Sequence, residues 1–216
     1  CPITRVADIQ YNLENIFLCI EDAYKNGAKA IVFPELCVTS YSCGDLFMQY
    51  SLLEKANLAI SKIIKKSSNL DMLIAVGAPL TFKNSLFNCA YIIFNGKILG
   101  IVPKSYIPNY SEFYEKRWFS EGLGIIDEKV DLEFQKDIPF GTNLIFKSGE
   151  YSFGFEVCED LWVTIPPSSY LSLLGANIIG NLSASNELVS KKDYREALVS
   201  NQSARCMSAY IYSSAG

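Results

Sequence analysis

The sequence predicts an α/β protein built around a mixed sheet. Strand-like apolar runs alternate with amphipathic helical stretches along most of the chain, and two hairpin signals interrupt that alternation. Half of the 216 residues are hydrophobic and only 19% are charged, so one large core is available. A single domain of this size buries about 70% of its unfolded surface. No internal repeat, low-complexity tract or linker divides the chain.

Residues 12–26 read as a helix with Leu13, Ile16, Phe17, Ile20 and Ala23/Tyr24 on one face and Gly27 as its stop. "KAIVFPE" follows as a short buried strand that Pro34 ends, leaving Glu35 at its carboxyl end. A second helix spans 47–67, with Leu52, Leu53, Ala56, Ala59, Ile60, Ile63 and Ile64 inward and Lys62, Lys65 and Lys66 on the solvated side. "MLIAVGAPL" is a strand, and "NCAYIIFNGKILGIVPKS" is a hairpin whose Asn95-Gly96 suits a type I′ turn. From 105 to 142 the chain reads as irregular and rich in aromatics, which compact domains seldom carry without a functional reason. "NLIFKSGEYSFGFEV" is the second hairpin and runs into Cys158. Pro166-Pro167 opens a helix to about Gly175. A strand "ANIIGNLS", a helix over 190–206 and a last strand "AYIYSSA" complete the reading, and both ends look cut, as in one domain taken from a longer polypeptide.

The composition excludes several classes of function. A net charge of −4, with no basic block longer than two residues, gives no footprint for nucleic acid or an anionic membrane. No apolar run reaches the length of a membrane span, and no signal peptide is expected from these residues. The seven cysteines are scattered without a CxxC pair, which argues against zinc knuckles and thioredoxin-like chemistry and suits a reducing cytoplasm. The chain has no histidine at all, which removes Ser-His-Asp and Cys-His catalysis and histidine metal sites.

Three reactive groups nevertheless stand just past the carboxyl ends of predicted strands: Glu35, Lys104 and Cys158. In open α/β sheets that edge binds ligands. A thiol with an ordinary pKa of about 8.5 is mostly protonated at neutral pH, so a carboxylate must take its proton. The tetrahedral intermediate of an acyl transfer carries an oxyanion that needs a cation or aimed N–H groups, for which Lys104 and the Glu159 backbone N–H are candidates. Together the three residues supply what histidine-free acyl transfer through a thioester requires.

The segments "FPELCVTSYSCGDLF", "VPKSYIPNYSEFYEKRWF" and "VCEDLWVTIPPS" resemble the three signatures of the nitrilase superfamily with its Glu-Lys-Cys triad. More narrowly they resemble the glutaminase domains of glutamine-dependent NAD synthetases, and the likeness runs from "VADIQYN" to "YSSAG". The resemblance implies a four-layer α-β-β-α sandwich for residues 1–216, truncated at both ends, with the synthetase domain outside this chain. It implies Cys158 as nucleophile, Glu35 as base and Lys104 as oxyanion-stabilising cation. It further implies Glu112 as an accessory glutamate, with Glu115 as a rival for that role. Tyr110, Phe113 and Glu159 would line the glutamine pocket, and Ser183 or Ser185 would hold the amino-acid head.

The reaction so implied is hydrolysis of the glutamine side-chain amide, with ammonia passed to a synthetase domain that amidates deamido-NAD. No cofactor is expected in this domain, whereas ATP and Mg belong to the synthetase part of a cytoplasmic, homo-oligomeric enzyme. A stand-alone amidase or nitrilase acting on another small amide is the alternative. A non-catalytic scaffold is the other class, disfavoured by the intact Glu-Lys-Cys set.

Overall fold

The computed structural model describes residues 1–215. Its first part comprises α1 (Ile9–Lys25), β1 (Ala30–Val32), a 3-10 segment over Tyr41–Met48 and α2 (Tyr50–Ser67). The long strands β2 (Leu73–Phe82), β3 (Ser85–Phe94) and β4 (Lys97–Pro103) follow. After them come the short pair β5 (Asn109–Tyr110) and β6 (Phe113–Tyr114), then β7 (Glu128–Leu132) and β8 (Gln135–Phe140). The chain closes with β9 (Phe146–Ser148), β10 (Tyr151–Val157), α3 (Pro167–Leu173), β11 (Ile178–Ser183), α4 (Lys191–Cys206) and β12 (Ala209–Ser214).

Two sheets, not one, carry the domain. The first is mixed, in the order β1-β2-β3-β4-β8-β7, and the second runs β12-β11-β10-β9. β10, β11 and β12 are mutually parallel while β9 is antiparallel to β10. Helices α1 and α2 cover the outer face of the first sheet, and α3 and α4 cover the second.

The alternation along the central strands shows why four layers form. Ile74, Val76, Ala78 and Leu80 of β2 and Cys89, Tyr91 and Ile93 of β3 pack into the core beneath α1 and α2. Their neighbours Leu73, Ala75, Ala90 and Ile92 join Phe155, Val157 and Leu182 between the two sheets. A strand buried on both faces reads as a continuous apolar run, as "MLIAVGAPL" does. Burying both faces withdraws more apolar surface than one-sided packing could, at about 25 cal/mol for each Å² removed from water.

The helices lie where the 3.6-residue spacing puts them. Leu13, Ile16 and Ile20 of α1 are buried, as are Leu52, Ala56, Ala59, Ile60 and Ile63 of α2. Asp8 caps α1 by accepting from the Tyr11 N–H at 3.2 Å. In the turn between β3 and β4, Asn95 has φ 43° and Gly96 φ 77°, the pair of positive values a type I′ turn demands.

The stretch 105–142 departs from its irregular reading. β7 and β8 form an antiparallel hairpin that extends the first sheet, β8 meeting β4 through Ile101 and Phe140. Val130, Leu132, Ile138 and Phe140 point inward, while Lys129, Asp131, Asp137 and Pro139 occupy the alternate, solvent-facing positions. A strand at a sheet edge is wet on one side, so its sequence looks polar and its alternation is short. Helix α2 also starts later than position 47, because the chain first makes the 3-10 segment.

Candidate active site

β1 ends at Val32, and residues 33–38 continue alongside β2. The Phe33 N–H donates to the Ala75 carbonyl at 2.8 Å and the Val38 N–H to the Gly77 carbonyl at 3.2 Å. Gly77 is glycine for a steric reason. A Cβ there would lie 2.4 Å from the Leu36 nitrogen and 2.6 Å from the Pro34 carbonyl oxygen, so the backbone on either side of Glu35 passes directly over it. The Glu35 N–H in turn donates to the Ser183 carbonyl of β11, at 3.2 Å. Glu35 is thereby fixed between the two sheets.

Lys104 follows β4 directly and is fully buried. Its Nζ donates to Glu35 Oε1 at 2.7 Å and to both carboxylate oxygens of Glu115, at 2.8 and 3.0 Å. Asn88 Nδ2 donates to the same Glu35 oxygen at 2.6 Å, and the Tyr41 hydroxyl donates to Glu115 Oε1 at 2.7 Å. The second Glu35 oxygen, Oε2, is buried without a hydrogen-bond partner. Leaving a buried carboxylate oxygen bare costs free energy, and a free lone pair at this spot is what a general base needs.

Cys158 sits where β10 breaks into a 3-10 turn, with φ 46°, a left-handed value that a non-glycine residue seldom adopts. Such outliers persist only when their surroundings hold them. Here the Cys158 N–H donates to Asn181 Oδ1 at 3.1 Å. Asp160, also buried, accepts from the backbone N–H groups of Val157 at 2.9 Å, Ser105 at 3.2 Å and Tyr106 at 2.9 Å. One carboxylate therefore ties the turn bearing Cys158 to the segment bearing Lys104. The sulfur accepts from the Ser183 hydroxyl at 3.2 Å.

Burial sets the electrostatics of the cluster. It pushes the Cys158 thiol up, Glu35 adds to that, and Lys104, the Ser183 hydroxyl and the Ala184 N–H pull against it. Burial likewise raises Glu35 above the ordinary carboxylate value; the Lys104 ammonium lowers it and the Glu115 charge raises it. Burial disfavours the charge on Lys104, but Glu35 and Glu115 outweigh it and hold the ammonium well above its usual value. The resting cluster is thus a neutral thiol beside a lysine shared by two carboxylates.

Two cavities meet over the cluster. One, of about 570 Å³, reaches Glu35 and Tyr41; the other, of about 220 Å³, reaches Cys158, Glu115 and Glu159. Glu112, Phe113 and Ser185 line both. At the mouth of the smaller cavity the Tyr110 hydroxyl donates to both Glu159 oxygens at 3.0 Å, and Lys191 Nζ lies over the Phe113 and Trp162 rings at 5.8 and 5.2 Å.

Tyr110, Phe113, Glu159 and Ser185 line the smaller cavity. One expectation needs correction, and one left open is narrowed. Glu112 is exposed and bonds to Asn186 at the rim, and the carboxylate beside Lys104 is Glu115. The β5–β6 turn at Ser111, with φ 50°, sends residue 112 outward, and the 3-10 turn over Glu115–Arg117 carries Glu115 back in. Ser183 lines neither cavity; its hydroxyl lies against the sulfur within the protein, so of the two serines only Ser185 faces the cleft. Tyr41, Asn88, Asp160, Trp162 and Lys191 were not foreseen. Asn88 left a signal, a polar residue near the start of an otherwise apolar strand.

The chain belongs to the carbon-nitrogen hydrolases, whose family model matches residues 1–214. Within that family it is similar to the glutamine-dependent NAD(+) synthetase of Mycobacterium tuberculosis, at 36% identity over 217 residues, 99% of this chain and 32% of that one. A crystal structure of a glutamine-dependent NAD(+) synthetase from Cytophaga hutchinsonii superposes with a TM-score of 0.89 at 28% identity, over 99% of this chain and 34% of that chain. An amidase from Nesterenkonia, at 17% identity, shares the fold with a TM-score of 0.80 over 99% of this chain and 73% of its own. The chain thus spans about a third of the length of the synthetases it matches.

Proposed function

We propose that this domain hydrolyses the side-chain amide of glutamine through a thioester on Cys158. The observation that carries the reading is the unpartnered Glu35 Oε2 in a buried cluster where Lys104 holds the other Glu35 oxygen at 2.7 Å. Glu35 Oε2 takes the thiol proton as the sulfur forms its bond to the amide carbon, and the C=O π electrons move onto the carbonyl oxygen. Lys104 has three N–H groups. One meets Glu35, and the two Glu115 contacts can share a second, which leaves the third for the oxyanion. The intermediate collapses as Glu35 returns its proton to the nitrogen, and ammonia departs. Water, deprotonated by Glu35, then cleaves the thioester to release glutamate and restore the thiol.

The similarity to glutamine-dependent NAD(+) synthetases supports glutamine as the amide and a synthetase domain as the consumer of ammonia. ATP, magnesium and deamido-NAD fall to that domain, and no step at Cys158 runs through them. The polar rim formed by Glu159, Tyr110 and Lys191 suits the charged head of an amino acid better than a plain aliphatic amide. Rates of ammonia release from glutamine, simple aliphatic amides and nitriles test this, with Cys158→Ala as control. Glutamine should be hydrolysed in strong preference, and preference for acetamide or a nitrile would refute the assignment.

A further inference from the structure

Ser183 has one hydroxyl proton, and it is committed to the Cys158 sulfur at 3.2 Å. The same oxygen lies 2.7 Å from the Tyr212 hydroxyl of β12. With its proton used, Ser183 can only accept there, so Tyr212 must donate. Donors and acceptors therefore run in one direction, from Tyr212 O–H to Ser183 O–H to sulfur. Burial pushes the Tyr212 hydroxyl up to about 12, so at neutral pH it keeps the proton this order requires. Neither hydroxyl has a part in the proton transfer to Glu35.

We infer that Tyr212 and Ser183 form a hydroxyl relay that stabilises the Cys158 thiolate as it develops, Ser183 touching the reacting atom and Tyr212 positioned to act through it. The inference rests on Cys158 being the nucleophile. No proton moves along the relay. When the S–H bond breaks and the proton passes to Glu35 Oε2, the Ser183 bond to sulfur becomes charge-assisted, and the Tyr212 bond behind it polarises Ser183 further. When the sulfur is acylated its charge is gone and the relay relaxes. It therefore favours the charged state over both neutral ones, which is where stabilisation raises the rate. Glu35, Lys104, Glu115, Glu159, Tyr41 and Tyr110 also face the sulfur or its immediate partners; Tyr210 and the Ser185 hydroxyl face Tyr212, and Arg195 lies over its ring at 5.9 Å. Neither substitution below alters any of these groups.

The test is the pH dependence of Cys158 alkylation by iodoacetamide in wild type, Ser183→Ala, Tyr212→Phe and the double variant, each shown by melting to be folded. A hydrogen bond to a charged atom is typically strong enough that Ser183→Ala should slow alkylation at neutral pH about 10-fold and move the profile up by about one pH unit. Tyr212→Phe should slow it about 3-fold through the lost polarisation. Because Tyr212 acts through Ser183, the double variant should match Ser183→Ala alone. A wild-type profile in Tyr212→Phe, or a double variant slower than Ser183→Ala by the whole Tyr212 factor, overturns the relay while leaving the nucleophile in place. A Cys158 that iodoacetamide leaves unmodified at every pH in the folded wild type overturns the nucleophile itself, and the relay with it. Should Ser183→Ala not fold, the Tyr212→Phe profile decides alone.

Discussion

Lys104 Nζ donates to Glu115 at 2.8 Å, in the same buried space in which it donates to Glu35 at 2.7 Å. One ammonium is thus shared by two carboxyl groups. Removing one member of a buried charged set costs far more than a surface pair would, because the others are left uncompensated. This arrangement sets expectations for each member.

Glu115→Gln should lower the rate of glutamine hydrolysis by about 100-fold, the usual scale for disturbing an electrostatic stabiliser. Glu112→Gln should cost no more than about 3-fold, because its carboxylate is exposed at the rim and bonds Asn186 there. Steady-state kinetics of the two variants check this. The reverse order would restore Glu112 to the accessory role.

Lys104→Met keeps the stem and removes the charge, so it should reduce kcat by about 100- to 1000-fold with little change in KM. Lys104→Arg should not rescue, since a planar fork cannot make three contacts from one compact point. Near wild-type turnover in a folded Lys104→Met protein would make Lys104 a structural residue.

The pH profile of hydrolysis should have an acid limb above the ordinary carboxylate range. Glu35 must be ionised to accept the thiol proton, and burial, with the Glu115 charge adding to it and Lys104 opposing, raises its pKa. Its ionised fraction is therefore lost at a higher pH than that of an exposed glutamate, and the rate falls as pH falls through that raised value. Glu115→Gln removes a charge that raises Glu35, so the limb should move to lower pH even as the rate drops. A limb that stays or moves upward contradicts the assignment of Glu35 as base.

Gly77→Ala tests how Glu35 is held. The new Cβ would stand 2.4 Å from the Leu36 nitrogen, so the segment carrying Glu35 must shift. Overpacking of this kind costs about 1–3 kcal/mol, and a displacement near 1 Å at a reacting group costs about 100-fold in rate. Thermal melting and kcat should both fall. Unchanged kinetics would mean that Glu35 is not positioned by the backbone beneath it.

Much of this site was legible in the sequence, and the reasons for the remainder are physical. The absence of histidine and the placing of Glu35, Lys104 and Cys158 after strands pointed to the cluster, because strand ends are local features that periodicity locates. Glu115 against Glu112 was not decidable that way. Residues 109–117 turn twice within nine positions, and no repeat predicts which carboxylate such a path buries. The resemblance offered Ser183 or Ser185 for the substrate head, and which of them lines the cleft is set by the path of the chain just past the end of β11, which strand periodicity does not describe. The hairpin of β7 and β8 escaped for a related reason, since an edge strand with charge on its wet side resembles a loop. Asp160 offered no signal of its own, because the N–H groups it accepts come from segments more than fifty residues apart in sequence.

The central claim, that Cys158 carries the acyl group, is tested most directly by trapping that group. Protein mixed with glutamine, quenched in acid during turnover and digested under acidic conditions should yield one peptide heavier by a single glutamyl group. Tandem mass spectrometry should place it on Cys158, and treatment with hydroxylamine should remove it, as expected of a thioester. Ammonia released with no adduct on Cys158, or an adduct on any of the other six cysteines, would contradict the account.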